Sequence, residues 1–144
     1  MIFKEIIYNS DEYLKTLQLR ESVLRVPIGQ KLSIADTSDE AQLLHFGIFK
    51  DCELIACVVA KPLDTRAIIK LRQMAVSPCF QGQSIGKTLI GSTEKILRQK
   101  GYMCIEMSAR QTAIGFYEKL GYRTVGDVFM EIGIAHIAMH KYLL

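Results

Sequence analysis

No apolar run in these 144 residues approaches the roughly 18–20 that a bilayer-spanning helix needs, so no membrane anchor is expected. The opening segment MIFKEIIYNSDEY is charged early and has no cleavable signal pattern, which makes cytoplasmic residence the expectation. Like charges form no block, and aromatics do not interleave with basic residues. The formal net charge of +3 therefore gives no ground for a nucleic-acid or membrane partner. Cys52, Cys57, Cys79 and Cys104 contain no C-x-x-C pair and sit mostly in apolar runs, so they read as reduced, buried small hydrophobes. His136 and His140 are four apart, but IAHIAMHKYL alternates like a strand. No Cys or carboxylate spacing completes a site there, and no metal is expected. Repeats, low-complexity tracts and Pro/Gly/Ser-rich linkers are also missing, so residues 1–144 read as one domain.

What is present is a succession of short periodic segments. IFKEIIY reads as an opening strand, and Ser10 or Asp11 as the N-cap of a helix that carries Leu14, Leu17, Val23 and Leu24 and stops near VPIG. A polar stretch from Gln30 to Gln42 reads as loop or a short helical turn. LLHFGIFK and ELIACVVAKPL form strands around a tight DCE hairpin, and AIIKLRQMAV is a longer strand that ends where Pro78 biases Ser77 away from helix. KTLIGSTEKILRQKG then places Leu89, Ile90, Thr93, Ile96 and Leu97 on one helical face, with Gly101 as terminator. YMCIEMSA reads as a strand, QTAIGFYEKLG as a second glycine-ended helix, and RTVGDVFME and HIAMHKYL as closing strands. That order implies an α+β chain with one mixed sheet and helices on both faces.

Between the long strand and its helix lies FQGQSIGK. A helix N-terminus leaves its first N–H groups unpaired and carries partial positive charge, and a glycine-containing turn ahead of it lets more amides converge on a phosphate. Gly82 and Gly86 permit close approach or unusual φ, and Lys87 and Thr88 add a cation and a hydroxyl. A nucleotide P-loop is excluded, because Gly82 and Gly86 stand one residue too close together for G-x-x-x-x-G-K-[ST]. The dinucleotide pattern G-x-G-x-x-G is absent as well.

The C-terminal half, MAVSPCFQGQSIGKTLI followed by YMCIEMSAR and AIGFYEKLGYRTVGD, resembles the GCN5-related N-acetyltransferase (GNAT) superfamily. That family carries a Q/R-x-x-G-x-G/A loop, matched here at Gln81, Ser84 and Gly86. It also carries an A-x-x-F-Y-x-x-x-G-[FY] run, matched at Ala113, Phe116, Tyr117, Gly121 and Tyr122. Ser84 is a departure, since the family usually has Gly there. LRESVLRVPIG and MEIGIAHIAM narrow the resemblance toward the bacterial ElaA-like branch, in which these two segments flank the acceptor side of the cleft.

The resemblance implies a mostly antiparallel sheet in a three-layer α/β/α arrangement, and an N-acetyltransferase using acetyl-CoA on a primary amine in a ternary complex. The rival reading is a non-catalytic acyl-CoA-binding module on the same fold. The family's cofactor contacts carry over to the main chain of Met74, Ala75 and Val76 for pantetheine, with Met74 N–H as a candidate oxyanion donor. The turn Gln81, Gly82, Gln83, Ser84, Ile85, Gly86, Lys87 and Thr88 serves the pyrophosphate. Arg110 is a candidate contact to the cofactor's amides or phosphate. Tyr117 matches the family tyrosine placed near the sulfur and is the candidate acid.

Candidate bases are Glu106, Glu131 and, third, His45. Arg20 and Arg25 are five apart, do not share one helical face cleanly, and read first as solvent-facing; one turned into the cleft would suit an acceptor bearing a carboxylate or phosphate. Cys79 has no His or Asp spacing that activates it, which disfavours a covalent route. The acceptor class, a small-molecule or peptide amine, is left open, and the strand-like AHIAMHKYLL is a candidate edge for a homodimer.

Overall fold

The computed structural model describes residues 1–64 and 67–144. The chain runs β1 (Ile2–Ile6), α1 (Asp11–Arg20), α2 (Ile34–Thr37), β2 (Leu44–Lys50), β3 (Glu53–Pro62), β4 (Ile68–Val76), α3 (Ile85–Gln99), β5 (Cys104–Arg110), α4 (Ile114–Lys119), β6 (Arg123–Glu131) and β7 (Ile134–Tyr142). The strands form one seven-stranded sheet in the order β1-β2-β3-β4-β5-β7-β6. Every neighbouring pair is antiparallel except β4 and β5. The α+β reading with a mixed, mostly antiparallel sheet holds.

β3 explains why both faces are covered. Its residues from Leu54 to Lys61 are apolar but for the last, and Leu54 to Ala60 are all buried, as a central strand packed on both sides requires. On one face Phe46, Ile48, Ile55 and Val58 pack against Leu89, Ile90 and Leu97 of α3 and Tyr117 of α4. On the other, Phe49, Leu54, Cys57 and Ala75 pack against Tyr13 of α1, with Leu17, Val23 and Leu24 at the margin.

Local chemistry sets most boundaries. Ser10 caps α1 by accepting from the Tyr13 amide, and Ser33 closes a reciprocal capping box with Asp36 on α2. Asp51 and Cys52 both have positive φ and close the β2–β3 hairpin in two residues, the backbone such a turn needs. Ile132 and Gly133 repeat this between β6 and β7. Gly101 and Gly121 take left-handed conformations at the ends of α3 and α4.

Four expectations are corrected. Leu14 is exposed, and the buried face of α1 is Tyr13, Thr16 and Arg20, because its partners include a buried carboxylate and not only apolar strands. Arg20 is therefore not solvent-facing. Its guanidinium is fully buried and forks onto Glu40 at 2.7 Å through both Nη atoms. Cys52 and Cys79 are exposed, and only Cys57 and Cys104 are buried. AHIAMHKYLL cannot serve as a pairing edge, because β7 lies between β5 and β6 with both sides bonded; the free edges are β1 and β6.

After α1 the chain widens into a π-helical turn, Glu21–Arg25, where the Val26 amide bonds back to the Glu21 carbonyl. Such bonding closes one turn over five residues, so Arg20 and Arg25 both reach inward despite their spacing. Both are buried.

Candidate active site

β4 and β5 are paired only from Ile68–Leu71 against Cys104–Met107. Beyond Leu71 they separate. The β3 register then passes from Val59 opposite Arg72 to Cys57 opposite Ala75, so Gln73 and Met74 together oppose Val58. This is a β-bulge, and Gln73 takes φ +53 to make it. The parting strands open a cleft of about 470 Å³, lined by Gln73 and Met74 of β4, Ser108 and Arg110 of β5, and Tyr117 of α4. Arg25, Asp36, Glu131 and His136 form its far wall. Met74 and Tyr117 of the sequence assignment therefore meet, and Ala75 and Val76 continue the same strand outward.

None of the residues from Gln81 to Thr88 lines this cleft; the turn comes nearest it at Gly86, where an added Cβ would lie 3.7 Å from Met74 Cε. Gly82 has φ +78 in open space. Ser84 has φ +62 and makes no cap bond, whereas the cap serines of α1 and α2 do. The first helical bond of α3 is Thr88 N–H to Ser84 O at 3.0 Å, so the amides of Ile85, Gly86 and Lys87 precede the helical ladder. The loop is held from behind by Gln81 Nε2 donating to Val76 O at 3.0 Å and Gln83 Nε2 donating to Cys79 O at 3.2 Å. At Gly86 a Cβ would meet the Phe116 ring at 3.2 Å, so a glycine lets α3 and α4 close on each other. Ser84 occupies, at a strain of about 1–2 kcal/mol, a backbone state that suits glycine better.

Tyr117 is 8% exposed and donates to Met74 Sδ at 3.8 Å. Burial pushes its hydroxyl up to about 12, so it stays protonated at any physiological pH. Glu131 also faces the cleft. It is 49% exposed, with Oε2 3.6 Å from Nε2 of the buried His136, whose Nδ1 sits 2.8 Å from the Ile134 carbonyl.

The remaining sequence candidates lie elsewhere. Glu106 sits in the closed part of the seam between Lys70 and His140, outside the cleft lining. The apolar neighbours that made it conspicuous, Ile105 and Met107, belong to the core under α3. His45 is buried beneath α1, with Nε2 2.9 Å from Glu40 O, and burial lowers its pKa; it does not reach the cleft either. Arg110 sends Nη2 across the cleft to Leu24 O at 2.7 Å, in the π-helical turn and away from the phosphate loop. Among the described residues no metal-holding cluster of His, Cys, Asp and Glu occurs, and no helix is long and apolar enough to cross a membrane.

Sequence reasoning missed Gln73, Asp36 and the pair Lys70 and Arg72, all lining the cleft. The alternation K-L-R-Q in β4 places Lys70 and Arg72 on one face and was the available signal. The bulge that turns Gln73 has no signal in composition.

The cleft is thus a sheet split at its one parallel pair, with a bulge on one lip and the start of α3 packed on α4 at Gly86 and Phe116. The family model described as "Acetyltransferase (GNAT) domain" matches residues 34–143. The chain belongs to the GNAT acetyltransferase family and is an N-acetyltransferase. It is 36% identical over 105 residues to the N-acetyltransferase YitI of Bacillus subtilis, covering 69% of this chain and 70% of that protein. The crystal structure of Escherichia coli ElaA superposes with a TM-score of 0.84 at 22% identity, over 97% of this chain and 98% of that one. An aminoglycoside 6'-N-acetyltransferase complexed with coenzyme A superposes at 0.79 and 22% identity, over 100% of this chain and 98% of that one.

Proposed function

We propose that residues 1–144 act as one catalytic domain that transfers an acetyl group from acetyl-CoA directly to a primary amine, with both substrates bound together. The observation that carries this reading is the bulge at Gln73–Met74 facing the Tyr117 hydroxyl across the opened seam. The amides of residues 85–87 and the glycine turn hold the pyrophosphate, and the free lip of β4 at Met74–Val76 aligns the pantetheine arm as an added strand. The Met74 N–H polarises the thioester carbonyl and stabilises the oxyanion. The amine nitrogen attacks the carbonyl carbon and loses a proton, the C–S bond breaks, and Tyr117 gives its proton to the departing sulfur. The products are an amide and a free thiol. Tyr117 already donates to a sulfur, the thioether of Met74; a departing thiolate, being charged, is a much stronger acceptor. Glu131, the candidate carboxylate that lines the cleft, takes the amine proton, and His136 beside it fixes its position.

Two measurements test this. Acetyl-CoA should raise the melting temperature and give binding heat in a calorimeter, while ATP should do neither. No heat with acetyl-CoA ends the reading. Gly86→Val should weaken acetyl-CoA by at least about tenfold, because the new side chain meets Phe116 and crowds the amides at that turn. An unchanged dissociation constant for this variant would place the phosphates elsewhere.

A further inference from the structure

The acceptor side of the cleft has an unbalanced charge. Arg25, Lys70, Arg72 and Arg110 line it as cations, against Asp36 and Glu131 as carboxylates. Arg72 is committed to Asp39. Arg25 shares Asp36, and Arg110 pairs with no carboxylate among the described residues. They converge on one carbonyl, Leu24 O, at 3.5 Å from Arg25 Nη1 and 2.7 Å from Arg110 Nη2.

The carboxylate that answers this pair is Asp36, 3.2 Å from Arg25 Nη2, and it is divided. Its other oxygen accepts from the Ser33 amide at 2.8 Å to close the cap of α2. Arg25's side chain is only 7% exposed, so water screens it poorly. Burial, and then the charge on Arg25, both lower the pKa of Arg110. Each guanidinium has five N–H donors. Among the described residues Arg25 uses side-chain bonds to Leu24 and Asp36, and Arg110 one to Leu24. The other donors belong to two residues that line the cleft.

With Arg72 set against Asp39, the three cations Arg25, Lys70 and Arg110 against the two carboxylates Asp36 and Glu131 leave one surplus positive charge, which matches a monoanion. The geometry suits a carboxylate, because paired guanidinium forks bind it in bidentate fashion. A phosphate dianion would overbalance the site and meet Asp36 and Glu131. Arg110 lies directly opposite His136 on β7, and His136 contacts Glu131, so a carboxylate for an incoming amine stands across from the guanidinium pair.

Resting on the acetyl-transfer reading above, we infer that the acceptor is an amine that also carries a carboxylate, a free amino acid in its simplest form, held by Arg25 and Arg110 with its amine toward Glu131. A polyamine meets the wrong charge here.

The test titrates the CoA-bound protein with a panel of N-acetyl amino acids and their carboxamides, as mimics of the product. At least one acid should bind, and its carboxamide at least tenfold more weakly. Arg25→Met should abolish that discrimination while leaving the CoA dissociation constant unchanged. Asp36→Asn should tighten the acid a few-fold, since a competing carboxylate is gone while the amide oxygen still caps α2; a purely structural role for Arg25 and Asp36 predicts no gain. The inference is overturned if no acid in the panel binds, if acid and carboxamide bind equally, or if Arg25→Met weakens CoA instead. Failure of CoA itself to bind would sink the underlying reading, a separately recognisable result.

Discussion

Tyr117→Phe is expected to lower kcat by about 100-fold while leaving the acetyl-CoA dissociation constant within about twofold, the range general acid catalysis supplies. The ring is buried between Phe116 and Tyr122, at 5.0 Å and 5.8 Å between centroids, and phenylalanine keeps both contacts. Only the hydroxyl is lost, and its one bond among the described residues is to the Met74 sulfur. Steady-state kinetics alongside calorimetry separates the two quantities. Because burial holds the phenol at about 12, the wild-type rate should show no loss from Tyr117 ionisation up to about pH 10. A variant with wild-type kcat would remove Tyr117 from the chemistry and leave the proton for the departing sulfur to another donor.

The largest loss of stability is expected from Arg20→Met, about 3–5 kcal/mol, because Glu40 then remains buried and charged without its partner. For a chain of this size that corresponds to roughly 10–15 °C in melting temperature. Glu40 also accepts from the Tyr13 hydroxyl at 2.7 Å, so a single deletion strands several groups. Arg20→Met combined with Glu40→Met should recover most of the loss, since an apolar pair often replaces a buried ion pair at little cost. Thermal melts of both variants decide it; a single variant that melts with the wild type would mean the pair is solvated.

The same segment sets the acid response. Burial raises the Glu40 pKa, but the bonds from Arg20 and Tyr13 outweigh it and leave it below its ordinary value. At Asp39 the bond from Arg72 dominates and holds the carboxyl down at about 2. Groups depressed on folding contribute stability that is complete above their unfolded values near pH 4 and is lost as pH falls through the folded ones. The melting temperature should therefore fall steeply between about pH 5 and pH 2, and less steeply in the Arg20→Met, Glu40→Met double variant. Equal pH slopes in both would place the acid response elsewhere.

Arg20 also donates to Gln73 Oε1 at 2.8 Å, and Gln73 forms the bulge. The network under α1 thus reaches the lip of the cleft, and its members, residues 13, 20, 40 and 73, stand too far apart in the chain for any local pattern to join them. Legibility followed locality. Ser10, Gly101, Gly121, Pro78 and the FQGQSIGK turn act through neighbours a few residues away, and each was read from the chain. The buried face of α1 was misread because periodicity marks a stripe but not what it packs on, and a buried Glu40 recruits a polar stripe. Glu106 and His45 lie outside the cleft lining for a related reason. A polar residue inside an apolar run is conspicuous, but its place along the seam decides whether it reaches the cleft: Glu106 shares the parity of Ser108 and Arg110 and lies where the strands are still paired. The failed edge assignment for β7 reflects strand order, which pairing partners far along the chain determine.

The seam between β4 and β5 has a consequence for how this enzyme can diversify. The two parts of the sheet touch through four residue pairs there, and α3 is the stretch of chain that carries one part over to the other. The same helix offers the amides proposed to grip the coenzyme, so its entry angle serves both architecture and substrate. Ser84, at φ +62, keeps the left-handed backbone with which that helix begins. The opposite rim, built from the widened turn Glu21–Arg25 and the two-residue hairpin at Ile132–Gly133, stands apart from α3, so a change there leaves that entry angle as it is.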